Sequence, residues 1–248
     1  MNTDPTAGGR KGSREPKLSK LSGEDKQRLM RELWEAADER KKLTAEAGHA
    51  PELGRQPLCA VTGWGAVSPA GWSAGALREA MGAQVELPMP TARRCEGAPE
   101  RRFRPVPAHT SPPEWMKQPR FRRTTAVARF AVHAAAEALG ETRIASVQSG
   151  ALRLGVVFCS MNGCVQFSRR FYTEVQDNPL LASPILFPET VYNAPSSHLA
   201  ALVASREINY TLVGDSAQFV AGLDLASQWI EDGLVDAALV VAAEELDW

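Results

Sequence analysis

The chain has 248 residues, the size of one large domain or of a domain carrying an extension. Its 44% hydrophobic content excludes a chain disordered throughout. No run approaches the roughly 20 apolar residues of a membrane helix, and 28 Lys and Arg against 29 Asp and Glu leave a formal charge of −1.

That balance hides a segregation. Residues 91–129 carry 10 basic and 3 acidic side chains, whereas residues 130–248 carry 5 and 14. One surface can therefore be strongly basic while the remainder is acidic. The polar N-terminus lacks the apolar core of a secretory signal. Four cysteines in a chain this long make no disulfide framework, so a reducing, cytoplasmic setting is expected.

Residues 1–20 have almost nothing to bury and read as a disordered tail. Ser22-Gly23-Glu24-Asp25 then matches a capping box opening a helix to about residue 44. Leu29, Met30, Leu33, Trp34 and Ala37 line one stripe of it. Such a helix is marginal alone and needs something to pack on, either this domain or a partner. Residues 1–56 are thus an extension, and residues 57–248 the folded domain.

Residues 58–62 form an apolar run ended by Gly63-Trp64-Gly65, the pattern of a buried strand entering a glycine turn. A helix follows over 73–82. Residues 83–120, rich in Pro and Arg, have no sustained period and predict a long excursion over the surface. Residues 124–139 are Ala-rich and helical, with Gly140 as the stop. A second buried strand is expected over 154–159, an irregular stretch over 179–195, and a short helix over 196–204. Residues 209–213 predict a third strand, 216–232 a helix closed by Gly233, and 237–242 a fourth strand. Strands apolar on both faces and alternating with helices imply an α/β protein with a mostly parallel sheet covered on both sides.

The sharpest local feature is Gly214-Asp215-Ser216-Ala217-Gln218, where a strand turns tightly into a helix. A side chain there stands at a helix N-terminus, which stabilises negative charge. It is similar to the G-x-S-x-G elbow of α/β-hydrolases, but Gln218 replaces the second glycine. All four histidines (His49, His109, His133 and His198) precede Ser216, so a triad in the hydrolase order is absent. The simplest role for Asp215 or Ser216 is to cap the helix, worth about 1 kcal/mol.

Four segments carry a family resemblance. Val61-Thr62-Gly63-Trp64-Gly65-Ala66-Val67-Ser68-Pro69-Ala70-Gly71 resembles the opening strand and turn of the β-ketoacyl synthases, the condensing enzymes of fatty-acid and polyketide assembly. Phe187-Pro188-Glu189-Thr190 with Asn193-Ala194-Pro195-Ser196-Ser197-His198 resembles the segment before their dimer-interface strand. Asn209-Tyr210-Thr211 matches that strand, and Val240-Val241-Ala242-Ala243-Glu244-Glu245 the later one ending in a Gly-Gly-Ala-Glu-like sequence.

The resemblance implies a thiolase-like fold of two similar halves, of which this chain holds the N-terminal one. It also implies decarboxylative condensation on acyl carrier protein thioesters, with no bound cofactor and with substrates carried on phosphopantetheine. The chain departs from the pattern in two ways. Ser216 stands where the family has its nucleophilic cysteine, and a serine is far weaker unless a base activates it. A neighbouring Asp215 raises the cost of ionising it. The half that would carry the family's two catalytic histidines is absent from these 248 residues. Either a partner is therefore expected to cover the exposed apolar face, or the chain is a shortened or divergent product.

Other clusters are weaker. Cys159 and Cys164 have no second pair of ligands nearby, so zinc is not expected. Arg101, Arg102, Arg104, Arg122 and Arg123 form either a solvated face or a docking surface for an acidic carrier protein. No nucleic-acid motif accompanies them. The leading expectation is a non-catalytic, chain-length-factor-like partner of a condensing enzyme, pairing with that enzyme or with a second copy through the 209–211 strand. Two alternatives are an acyltransferase using Ser216 with groups supplied by another chain, and a carrier-protein binding module.

Overall fold

The computed structural model describes Ser22, Arg28, Arg31, and residues 59–93, 96–110 and 113–245, apart from the side chains of Arg120 and Arg122. The chain divides into two units, Met1–Gln56 and Pro57–Trp248. In the first, Arg28 and Arg31 are helical and exposed. The predicted tail and the stripe of Leu29, Met30, Leu33, Trp34 and Ala37 lie outside the described residues.

The second unit is built on three parallel strands, β3 (Leu154–Ser160), β4 (Asn209–Val213) and β5 (Ala237–Ala242), in the order β4-β3-β5. Val156 lies opposite Asn209 on one side, and Leu154 opposite Ala237 on the other. Every residue of the central strand is buried. Because strand side chains alternate, Leu154, Val156 and Phe158 enter one core, and Val157 and Cys159 the other. A short antiparallel ribbon, β1 (Thr91–Ala92) with β2 (Arg101–Arg102), lies apart from this sheet.

Helices α3 (Ala126–Gln148) and α5 (Ala194–Val203) cover the first face, and α6 (Gln218–Glu231) covers the second. Thr125 caps α3 by accepting the Ala128 N–H at 3.2 Å. The chain from β3 to β4 runs through α5, and from β4 to β5 through α6, so parallel pairing is met by helical crossovers. Helix α6 lies close against the sheet because position 222 has no side chain. A Cβ on Gly222 would stand 2.9 Å from the Cys159 Sγ. The remaining helices are α1 (Ala74–Gly82), α2 (Glu114–Lys117) and α4 (Val165–Asp177).

Four expectations change. The strand predicted over 58–62 does not form: residues 59–67 carry no regular structure, and Val61 is 83% exposed. Side chains of α3 take up this segment's backbone groups in place of a neighbouring strand. Arg143 Nη2 donates to the Thr62 carbonyl at 2.9 Å, and Glu137 accepts the N–H groups of Ala66 and Ala74, each at 2.9 Å. Gly63 and Gly65 permit this approach, since a Cβ on either would fall 2.0 Å from a helix carbonyl oxygen, that of Ala138 or Ala134. Second, Gly140 breaks α3 (φ 68°, ψ 165°), but the helix resumes and runs on to Gln148. Third, the amphipathic helix α4 forms where no element is expected. Fourth, the 83–120 excursion contains the ribbon and the single turn α2.

Candidate functional site

Strand β4 ends at Val213, and the turn that follows is tied to the end of β3 by the Gly214 N–H donating to the Ser160 carbonyl at 3.2 Å. Asp215 organises the turn. Its Oδ1 accepts the Ala217 N–H at 2.9 Å and its carbonyl accepts the Gln218 N–H at 3.1 Å. Helix α6 begins at Gln218, two residues later than the sequence suggests, because Ser216 and Ala217 are spent on this turn. The structure brings Gly214 and Gln218 together: a Cβ on Gly214 would meet the Gln218 Nε2 at 2.6 Å. The glutamine carboxamide thus occupies the space that glycine at 214 leaves open.

Ser216 is exposed on this turn and hydrogen-bonds to no group among the described residues. Among the described residues, no imidazole, carboxylate or amine is therefore placed to take its proton. Cys159 lies beneath the turn, its thiol donating to the Gln218 carbonyl at 3.3 Å. Burial pushes that thiol up to about 11, so at neutral pH it is an unreactive packing group. The histidines serve elsewhere. His198 Nε2 meets the Glu189 carboxylate at 2.9 Å, and His133 Nε2 meets the Trp72 carbonyl at 2.8 Å. Burial, ahead of every other cause, holds His133 below its ordinary value.

Two acidic residues just after β5 support this end of the sheet. Glu244 accepts the N–H groups of Met161 and Asn162, in the loop following β3. Glu245, only 3% exposed, accepts from Val127 at 3.3 Å and from Gln166 at 3.0 Å, and so bridges the N-termini of α3 and α4. Both helix dipoles favour a carboxylate there. The sequence marks these residues as part of a motif, but only the fold shows which backbone groups they hold.

Asn209, Tyr210 and Thr211 lie on β4, an edge strand of the sheet. Asn209 Nδ2 donates to the Ser196 carbonyl and Thr211 Oγ1 to the Ser196 Oγ, each at 3.1 Å, fixing β4 on α5. Tyr210 and Val213 remain about half exposed, as do Phe219, Val220 and Leu223 at the start of α6. An unpaired edge beside such an apolar patch is a surface made for association.

Arg101 and Arg102 form β2, and Arg104 and Arg123 are exposed as they are. None of the four has an ion-pair partner among the described residues, whereas Arg93 pairs with Glu100 at 3.0 Å. The side chain of Arg122 lies outside the described residues. Cys159 and Cys164 belong to the cores on opposite faces of the sheet, which removes them as a metal pair. Among the described residues no cluster of His, Cys, Asp and Glu could hold a metal, and no helix is long and apolar enough to cross a membrane.

The model of the β-ketoacyl synthase N-terminal domain matches residues 58–246, and the chain belongs to that family. Its fold is the thiolase-like one of solved ketosynthases. The ishigamide ketosynthase/chain length factor superposes with a TM-score of 0.64 at 20% identity, covering 75% of this chain and 52% of that one. A ketosynthase (ApeO) in complex with its chain length factor (ApeC) from Xenorhabdus doucetiae gives 0.51 at 17% identity, covering 75% and 67%. A β-ketoacyl synthase from Burkholderia phymatum STM815 gives 0.50 at 16% identity, covering 71% and 44%. The chain thus spans about half the length of the first of these structures. Among curated proteins none matches this sequence.

Proposed function

We propose that this protein is a non-catalytic, chain-length-factor-like partner of a condensing enzyme in polyketide or fatty-acid assembly. One observation carries the reading. At the turn where the family resemblance puts the nucleophile, the chain presents Ser216, whose hydroxyl no base among the described residues touches. Ionising a serine without a base is too costly for acyl transfer at neutral pH. The thiol beneath the turn, Cys159, is buried, and burial raises it to about 11.

The edge of β4 supports the partner half of the reading. Asn209, Tyr210 and Thr211 offer backbone groups to a strand of another subunit, and the half-exposed Tyr210, Val213, Phe219 and Val220 offer apolar area beside them. Substrates would arrive on the phosphopantetheine arm of an acyl carrier protein. The unpaired Arg101, Arg102, Arg104 and Arg123, together with Arg122, supply charge complementary to an acidic carrier.

Two measurements test this. Purification from the native host should yield a complex containing a cysteine-bearing condensing subunit, and a stable monomer that captures no such subunit contradicts the proposal. Intact-protein mass spectrometry after incubation with acyl carrier thioesters should show no adduct. An acyl group that disappears in Ser216→Ala would establish the acyltransferase reading instead. Carrier binding that is salt-sensitive, lost on reversing Arg101, Arg102 and Arg104 to Glu, and present without any condensing subunit would favour a binding module.

A further inference from the structure

The Pro- and Arg-rich excursion has a part that neither the elbow nor the β4 edge uses. Its segment around 106–109 is held against α3 through Trp72. The indole Nε1–H of Trp72 donates to the Pro107 carbonyl at 2.7 Å, and the Trp72 carbonyl meets His133 Nε2 at 2.8 Å. A carbonyl only accepts, so Nε2 carries the proton. Rings close around this anchor. His109 lies 4.9 Å from Trp72 and 5.0 Å from His133, and Phe130 meets Trp72 edge-on at 5.5 Å.

Between the excursion and the helix is a cavity of about 470 Å³. Trp72, Phe130 and Met116 make apolar walls, and His109, Lys117 and Arg129 bring basic groups to it. No carboxylate lines it among the described residues. Lys117 already bonds to Glu114, outside the lining. Arg129 is half-buried and has no ion-pair partner among the described residues. A guanidinium withdrawn from water without an anion is costly, and its planar fork matches a carboxylate bidentately. Apolar and aromatic walls with a few convergent polar groups, at this volume, are the composition of a small-molecule site.

We propose that this cavity binds a small organic carboxylate with a flat, apolar body. Arg129 takes the carboxylate, and Trp72, Phe130 and His109 take the body. The site is independent of the partner role above, since none of these residues belongs to the elbow or the β4 edge.

The test is calorimetric titration of the full chain with trans-cinnamate, with cinnamyl alcohol, and with inorganic phosphate. Cinnamate should bind saturably at one site, and the alcohol and the phosphate each about tenfold or more weakly, since each lacks half of the recognition. Arg129→Gln should weaken cinnamate binding about tenfold or more while leaving alcohol binding unchanged. Ala108→Trp, which fills the cavity from an exposed position, should abolish it. Absence of saturable cinnamate binding overturns the proposal, as does equal affinity for the alcohol. If Arg129→Gln fails to fold, Ala108→Trp decides alone, and undiminished affinity in that variant contradicts the site.

Discussion

Helix α6 sets the elbow in place, and its fit to the sheet depends on Gly222 of the helix and on a second missing side chain near the start of β3. A Cβ added to Gly155 would stand 3.0 Å from Cε3 and 3.2 Å from Cζ3 of Trp229, and 3.3 Å from Cγ1 of Val235. Carbon atoms prefer about 3.5–4.0 Å, so the ring must retreat by several tenths of an ångström. It has little room to do so. Trp229 is buried, and its carbonyl accepts the N–H groups of Leu234 and Val235, which closes the chain over the ring. Overpacking of this kind costs about 1–3 kcal/mol. Reduced freedom of the unfolded chain returns about 0.4–1 kcal/mol, so Gly155→Ala should destabilise by about 1–2 kcal/mol. Trp229→Leu alone removes buried ring atoms and should cost about 3 kcal/mol. In that background the added methyl has space, and Gly155→Ala should become neutral or stabilising, a coupling of about 1–3 kcal/mol. Urea unfolding followed by far-ultraviolet circular dichroism measures all four corners of the cycle. If Gly155→Ala costs the same with Leu at 229, the two side chains do not meet as described and the seating of α6 is wrong.

Further outcomes follow from the rest of the structure. Glu245→Ala strips acceptors from two helix N-termini and should cost about 2 kcal/mol or more in urea unfolding, with Glu245→Gln recovering part of the loss. Iodoacetamide at pH 8 should label the exposed Cys59 and spare Cys159 and Cys164, as read by peptide mass spectrometry. Both buried thiols are raised to about 11, above an unfolded value near 8.5, so the folded state holds their protons more tightly. Their contribution to stability should therefore be complete below about pH 8.5 and fall as pH rises towards 11. His133 lies below its ordinary 6.5, so the unfolded chain binds that proton more readily. The urea midpoint should drop between pH 7.5 and pH 5.5, and Glu or Asp groups aside, His133→Gln should flatten that drop. Ser216→Cys should yield a thiol that alkylates readily in the folded protein yet confers no condensation, because no base among the described residues is positioned to activate it.

The sheet was legible because its strands are short apolar runs bounded by turn residues. Residues 209–213 and 237–242 match β4 and β5 residue for residue. The run 58–62 has the same texture and forms no strand. Arg143 holds its Thr62 carbonyl and Glu137 the Ala66 N–H just beyond it, side chains more than seventy positions away whose reach no local pattern reports. Helix α4 has only a faint signature, Phe167, Phe171 and Val175 recurring every four residues amid polar and charged neighbours. The elbow was legible as a strand turning into a helix, down to Ser216 at its tip. Two details required coordinates: the Gln218 side chain over Gly214, and the Cys159 thiol on the Gln218 carbonyl. The aromatic cavity was illegible, because Trp72, His109 and Phe130 meet only through the fold.

The partner role is tested most directly at the open edge of β4. Tyr210 can be replaced by the photoreactive p-benzoylphenylalanine in the native host and the cells irradiated, with cross-linked peptides identified by mass spectrometry. A cross-link to a cysteine-bearing condensing subunit is expected, and it should be lost when Val213→Asp places a charge on the same edge. Position 210 free of any such cross-link, in a protein that becomes acylated at Ser216 on its own, would contradict the partner role.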